Sequence, residues 1–111
     1  MAIKIIKSED GVSKKISDSY SVLNLLTAND SNNVSLAVSR ANNHKETTKT
    51  TSDRAYYILE GKLIIDDDLV AKKGDVVFVS ANTKYNFKGS FKAVLVNSPP
   101  FKKTNESISK L

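Results

Sequence analysis

The chain has 111 residues, no cysteine and a formal net charge of +5. This length allows one domain with a modest core, and the lack of cysteine excludes disulfides, thiolate metal ligands and cysteine nucleophiles. The N-terminal residues 1–7 break their apolar residues with lysines, unlike a secretory signal, and no stretch reaches the roughly 20 apolar residues of a membrane span. We therefore expect a soluble cytoplasmic protein with no membrane partner.

The positive charge is spread over single lysines and lysine pairs along the chain. Arg40 and Arg54 are the only arginines, and tryptophan is absent. Stacking and guanidinium groups that grip bases are therefore sparse, and we expect no nucleic-acid partner. The lysines are expected to form a solvated surface that favours solubility.

The first third of the chain, residues 1–33, predicts N-terminal strands and a turn that join a larger unit. Residues 19–26 fit either a short helix or a strand, and the context favours a strand. Residues 29–33 are a polar turn. Val34, Leu36 and Val38 then alternate with small residues, which predicts a half-buried strand.

The middle of the chain combines a polar stretch with continuous apolar runs. Residues 41–52 have no large apolar anchor and are expected to form a polar loop. Residues 55–59 and 93–96 are short apolar runs, which predict strands buried on both faces. Residues 76–79 are likewise expected to form a buried strand.

Turn residues separate these strands at short intervals. Aspartates in residues 65–69 favour a hairpin turn, and Gly74 supplies the positive φ of a second turn. Gly61 permits a bulge or a close backbone approach. Short strands with frequent turns are typical of an all-β sandwich or barrel, and residues 102–111 are expected to be a flexible tail.

Four segments carry a family resemblance: residues 56–61, 73–79, 82–85 and 97–101. In this order they resemble the barrel of the cupin superfamily over residues 34–101. The resemblance implies an all-β fold, a single-domain cupin-type β-barrel or double-stranded jelly roll, with the barrel at 34–101. It also implies a homodimer, since proteins that look like cupins are commonly dimers.

The first cupin motif has two histidines and a glutamate before a glycine. Anchored on Gly61, it puts Arg54 at the glutamate position. The two histidine positions then fall on Thr48 and Thr50, or in the other spacing on Thr47 and Lys49.

The second motif, anchored on Gly74, puts Tyr85 at its histidine position. A transition metal needs about three or four imidazole, thiolate or carboxylate ligands, and an arginine repels a cation. These departures from the cupin motifs predict a barrel with neither a metal nor a cofactor, although the resemblance of the fold is kept.

The candidate ligand-binding residues face the expected barrel interior. Strand parity puts Arg54 and Tyr56 on one face, together with Tyr85 and Phe87, and Thr48 and Thr50 complete the candidate set. The Arg54 guanidinium matches a carboxylate or phosphate ligand. Its structural alternative is an ion pair with Asp53, Glu60 or Asp75.

His44 is the only histidine. It is a candidate general base, because an imidazole titrates near neutral pH, with Tyr85 as the candidate acid. It could also pair with Glu46 as a displaced ligand set. The favoured interpretation is a solvent-exposed side chain in the polar loop.

Three functions fit these residues. The first is a metal-free cupin-fold protein that binds a small polar or anionic molecule in its barrel. The second is a metal-independent isomerase, epimerase or lyase of a sugar or other carbonyl compound, which uses His44 and Tyr85. The third is a dimeric structural or regulatory module.

Overall fold

A computed structural model describes residues 3–102 and the backbone of residues 106–109. One short 3₁₀ turn is followed by eight strands. The turn is η1 (Ser8–Asp10), and the strands are β1 (Val12–Ser17), β2 (Tyr20–Leu26), β3 (Ser35–Thr50), β4 (Asp53–Ile65), β5 (Leu69–Lys72), β6 (Val76–Val79), β7 (Lys84–Ser98) and β8 (Glu106–Ser109). The described part of the chain has no helix that is long and apolar enough to cross a membrane.

The strands form one antiparallel sheet around three long central members. β7 lies between β3 and β4 and pairs with both over most of its length. The free side of β3 pairs with β2 and β8, the free side of β4 pairs with β5 and β6, and β1 lies beyond β2. The fold is thus all-β, as the sequence predicted, and strand β2 confirms the preference for a strand over residues 19–26.

The inner face of the central strands holds the core. Alternate residues of β4 and β7 are buried, among them Tyr56, Ile58, Ala93 and Leu95. This period of two follows from the pleat, which points successive side chains to opposite faces. The predicted parity of Arg54 and Tyr56 is confirmed, since both side chains are buried.

The two predicted turns on either side of β5 are also confirmed. Asp66 and Asp67 adopt positive φ between β4 and β5, and Gly74 does so between β5 and β6. Gly61 has φ 76°, and a Cβ built on it would lie 2.1 Å from the carbonyl oxygen of Ser90. Only a glycine permits this approach of β4 to β7.

The prediction of a polar loop over residues 41–52 is wrong. β3 continues through this stretch to Thr50 and pairs with β7 along it. A register shift between Ala41 and His44, with Asn43 at φ 52°, bulges the strand. The stretch lacks the usual apolar alternation because its inward residues are polar.

The prediction of a flexible tail over residues 102–111 also needs revision. Glu106–Ser109 form strand β8, which pairs with Thr47–Thr50 of β3. The remaining predicted tail residues, 103–105, 110 and 111, lie outside the described part.

The strands predicted to be buried on both faces are buried on one. Tyr57, Val76 and Phe78 are 46%, 65% and 64% exposed on the outer face. In one copy of the chain, nothing in the described part covers these side chains.

Candidate functional site

A cavity of about 610 Å³ opens into the barrel between β1, β2 and the central strands. Apolar side chains, including Val22, Phe87 and Leu95, form much of its wall. Its polar lining includes Asn24, Glu46, Arg54, Tyr56 and Asn97. A cavity of this size suits one small ligand, and the few convergent polar groups would fix its orientation.

His44 lies inside the barrel, so the prediction of a solvent-exposed side chain is wrong. It is 3% exposed, because the bulge in β3 turns it to the inner face. Its Nδ1 lies 2.7 Å from Ser19 Oγ and its Nε2 lies 2.7 Å from Glu46 Oε1. Its ring stacks on Tyr20 at a centroid distance of 4.8 Å.

Glu46 is the member of the His44–Glu46 pair that faces the cavity. Its carboxylate accepts a hydrogen bond, so His44 Nε2 carries the hydrogen, and Nδ1 of a neutral imidazole accepts from the Ser19 hydroxyl. Glu46 lines the cavity, whereas His44 lies behind it. The arrangement is a carboxylate held in place by an imidazole.

A second polar cluster surrounds Arg54 on β4 and includes its partners on β7. Its Nε donates to Asn97 Oδ1 at 2.8 Å, and its Nη1 donates to the Tyr85 hydroxyl at 3.1 Å. The Tyr85 and Tyr56 hydroxyls lie 2.5 Å apart. A buried guanidinium therefore polarises a pair of linked phenols.

Burial keeps the cavity tyrosines protonated. Desolvation raises the pKa of Tyr56 well above its usual value, and the neighbouring Tyr85 raises it further. Desolvation likewise raises the pKa of Tyr20, with a smaller opposing effect from its hydrogen bond to Ser39. Neutral phenols at these positions can donate protons.

Phe87 connects the two clusters. Its ring centroid lies 5.5 Å from that of His44, 6.1 Å from that of Tyr85 and 6.3 Å from that of Tyr56. In the sheet register Glu46 on β3 lies directly opposite Phe87 on β7. Phe87 is two residues from Tyr85 on the same strand, a distance of roughly 7 Å between their Cα atoms. A small molecule on Phe87 would meet both clusters.

The remaining predicted site residues divide into two groups. Arg54, Tyr56 and Phe87 line the cavity, and Tyr85 lies behind Tyr56 and borders a separate outer groove. Thr48 and Thr50 are buried on β3 away from the cavity lining. Thr50 Oγ1 accepts from the backbone of Ser52, which is a structural role.

Two of the three predicted acidic partners of Arg54 accept hydrogen bonds from backbone amides elsewhere. The Asp53 carboxylate accepts from the Ala81 amide, and the Asp75 carboxylate accepts from the Lys72 amide. Both hydrogen bonds stabilise turns. Asn97 and Tyr85 instead hold the guanidinium toward the barrel interior.

The described side chains do not fit a metal centre. No group of three or more histidine, cysteine or acidic residues is placed to hold an ion among residues 3–102. Both His44 nitrogens are hydrogen-bonded within the protein, and Arg54 adds positive charge to the same cavity. These residues suit proton transfer or ligand binding rather than coordination.

The sequence indicates Glu46 only as a partner of His44 in a displaced ligand set. The two residues share an inward face because they are two apart on a strand. Asn97 was missed as a contact of Arg54. The spacing His44, Glu46, Thr48, Thr50 was the available signal, since four polar residues at a period of two indicate one face of a strand.

By sequence alone, the chain matches no family model and no curated protein. Solved structures do match over the whole fold. A tyrosine-to-phenylalanine variant of Streptomyces Pac13 with uridine has a TM-score of 0.80 at 17% identity, covering 100% of this chain and 93% of that one. Pac13 is described as a nucleoside dehydratase.

Two further structures are similar. Ectoine synthase from P. lautus has a TM-score of 0.74 at 16% identity over 98% of this chain and 90% of that one. KdgF from Halomonas sp. has a TM-score of 0.74 at 8% identity over 93% and 99%. These matches show the fold, a cupin-type jelly-roll barrel, as the sequence resemblance predicted.

Proposed function

We propose that this protein is a metal-independent lyase that removes water from a small hydroxylated carbonyl compound bound in its barrel. One observation carries the proposal: a single cavity joins an imidazole-bound carboxylate to an arginine-bound pair of tyrosines. This is the arrangement of a base opposite an acid.

The base is the Glu46 carboxylate. It accepts the proton from the carbon next to the substrate carbonyl, and its hydrogen bond to His44 fixes its orientation. His44 is a positioning residue, since Ser19 and the Tyr20 ring hold the imidazole behind Glu46. The proposal therefore assigns His44 a different role from the general base for which the sequence made it a candidate.

The acid is the tyrosine pair. Tyr56 lines the cavity and donates a proton to the departing hydroxyl. The Tyr85 hydroxyl accepts a hydrogen bond from Arg54 and is hydrogen-bonded to the Tyr56 hydroxyl. The C–H bond and the C–O bond of the substrate break, a carbon–carbon double bond forms, and water leaves. The proton taken by Glu46 returns to the tyrosine pair before the next cycle, so the reaction consumes no other reagent.

The structural comparison supports this reaction class. Pac13, a nucleoside dehydratase, has been solved with uridine in forms that replace a tyrosine with phenylalanine or a histidine with glutamine. Dehydration is also one case of the lyase chemistry expected from a histidine and a tyrosine. A nucleoside or a sugar of similar size is therefore the first substrate class to test.

The test measures turnover. We would incubate the protein with a panel of β-hydroxy aldehydes and ketones derived from sugars and nucleosides, and detect loss of water by mass spectrometry. Glu46→Gln keeps the shape of the side chain and is expected to lower kcat by roughly 10²- to 10⁴-fold.

Two neighbouring tyrosines give a matched control. Tyr56 points into the barrel and Tyr57 points outward, so Tyr56→Phe should lower kcat and Tyr57→Phe should leave it unchanged. If Glu46→Gln were as active as wild type on every compound that wild type dehydrates, the assignment of the base would be overturned.

The second candidate is a protein that binds a small polar or anionic ligand without transforming it. The buried Arg54 guanidinium in a cavity of ligand size favours it. Uridine and sugar phosphates that raise the melting temperature of wild type but not of Arg54→Met, with no turnover on the panel, would establish this function instead.

A further inference from the structure

Strand β1 forms the open side of the barrel cavity. Among the described strands it pairs with β2 alone, and five of its six residues are exposed. Lys14 pairs with Val22, which in turn pairs with the buried Ser39. Directly paired residues share one face of a sheet, so this register turns Lys14 to the inner face. Because Lys14 lines the cavity and is also exposed, it stands at the cavity mouth.

The charges that line this cavity are mostly positive. Lys14, Lys15 and Arg54 line it, and among residues 3–102 the one carboxylate in the lining is that of Glu46, which is hydrogen-bonded to His44. A concave site lined by an excess of one charge raises the local concentration of ligands of the opposite charge. The lining therefore favours a ligand with a negative charge.

Lys14 is the cation at the mouth that no carboxylate of the described side chains neutralises. Lys15 Nζ lies 3.2 Å from Asp18 Oδ1, and Lys4 forms an ion pair with Asp30. Within residues 3–102, Lys14 makes no such ion pair. Its ammonium therefore has its donors available for a ligand.

A neutral donor lies beside Lys14 on the same inner face. Asn24 pairs with Val12, two residues from Lys14, and also lines the cavity. Diagonal neighbours across an antiparallel pair are roughly 7–8 Å apart. An anionic group between the two side chains could accept hydrogen bonds from the Lys14 ammonium and from the Asn24 amide.

We propose that the molecule bound in the barrel, the substrate of the proposed lyase, carries a carboxylate or phosphate group, and that Lys14 binds this group at the mouth. The inference rests on the proposed function, because it concerns the same cavity. The anionic end of the substrate stays near solvent, and its reacting carbons extend to the buried Glu46 and Tyr56. Lys14 is then a residue that determines substrate specificity.

The test measures binding of three sugars that differ only at carbon 6: glucose, glucuronate and glucose 6-phosphate. Isothermal titration calorimetry of wild type should show at least one anionic sugar bound about 10-fold or more tightly than glucose. Whether glucuronate or glucose 6-phosphate is preferred distinguishes a carboxylate from a phosphate. Lys14→Met should lower the preference to less than about 2-fold, and Lys14→Arg, which keeps the charge, should retain it.

Lys73→Met is the matched control. Lys73 is an exposed lysine in the turn between β5 and β6, and it lies outside the cavity lining, so this variant should retain the preference. Circular dichroism would verify that all variants fold. The proposal is overturned if wild type binds neither anionic sugar more tightly than glucose, if Lys14→Met keeps the preference, or if Lys73→Met loses it.

Binding and turnover separate this inference from the proposed reaction. A wild type that prefers an anionic sugar through Lys14 but dehydrates no compound of the panel would support the anion site and overturn the lyase. A wild type that dehydrates neutral compounds and shows no such preference would support the lyase and overturn the anion site.

Discussion

The two faces of the central strands have opposite characters. The inner face of β3 buries polar side chains, including Ser39, His44, Glu46 and Thr48. The outer face carries Leu36 and Val38 with apolar partners on every neighbouring strand. Buried polar groups and exposed apolar groups both cost free energy, so neither face has the composition that the stability of a single copy alone would favour.

The largest loss of stability is expected from truncating a buried core residue. Leu63 is fully buried on β4, and Leu63→Ala should lower the free energy of unfolding by about 2–5 kcal/mol through lost burial and a new cavity. Leu69→Ala, on the neighbouring strand and largely exposed, should cost less than about 1 kcal/mol. Chemical denaturation measures both, and equal costs would contradict the assigned core.

The next largest loss of stability is expected from removing Arg54 from its cluster. Arg54→Ala removes the donor to both Asn97 and Tyr85 and leaves buried acceptors without it. We expect a loss of about 1–3 kcal/mol in the free energy of unfolding. Lys92→Ala is the control from the solvated rim and should change it by less than about 0.5 kcal/mol.

The buried tyrosines should make stability fall in alkaline solution. The pKa of Tyr56 is raised in the folded protein above the ordinary 10.0, so above that pH the unfolded chain loses a proton that the folded chain keeps. The stabilisation is complete below pH 10.0 and declines as the pH rises further, by up to about 1.4 kcal/mol per pH unit.

Denaturation midpoints on both sides of that pH measure the effect. Tyr56→Phe should flatten the decline, and Tyr57→Phe, on the exposed face, should not. An unchanged slope in Tyr56→Phe would show that other groups cause the alkaline loss.

The smallest effect is expected on the outer face of the sheet. Val76→Thr replaces a largely exposed methyl group and should change the free energy of unfolding by less than about 0.5 kcal/mol. Chemical denaturation measures the change, and a cost as large as that of Leu63→Ala would contradict the exposed position of Val76.

The sequence predicted apolar strand segments and turns between residues 53 and 79 because turn residues and apolar runs were both present there. Gly74 and the aspartates of residues 65–69 fixed two turns, and parity placed Arg54 inside. It did not predict the strand over residues 41–52, because a strand is indicated by alternating apolar and polar residues, and here the buried face is polar.

The candidate site was predicted in part for the same reason. Apolar neighbours indicated which residues of these strands face inward. This alternation placed four candidate residues in the barrel: Arg54, Tyr56, Tyr85 and Phe87. His44 was placed in solvent, because the bulge that turns it inward depends on long-range pairing with β7. No local pattern specifies where such an irregularity falls.

That bulge sets the phase of the whole second half of β3. Before it, odd-numbered residues such as Ser39 and Ala41 face inward, and after it the even-numbered His44 and Glu46 do so. Asn43 absorbs the offset in a left-handed conformation, with its amide anchored on Ser90. Without the bulge, simple alternation would continue through Asn43 and aim Lys45 into the chamber, so one backbone irregularity determines which chemistry the barrel contains.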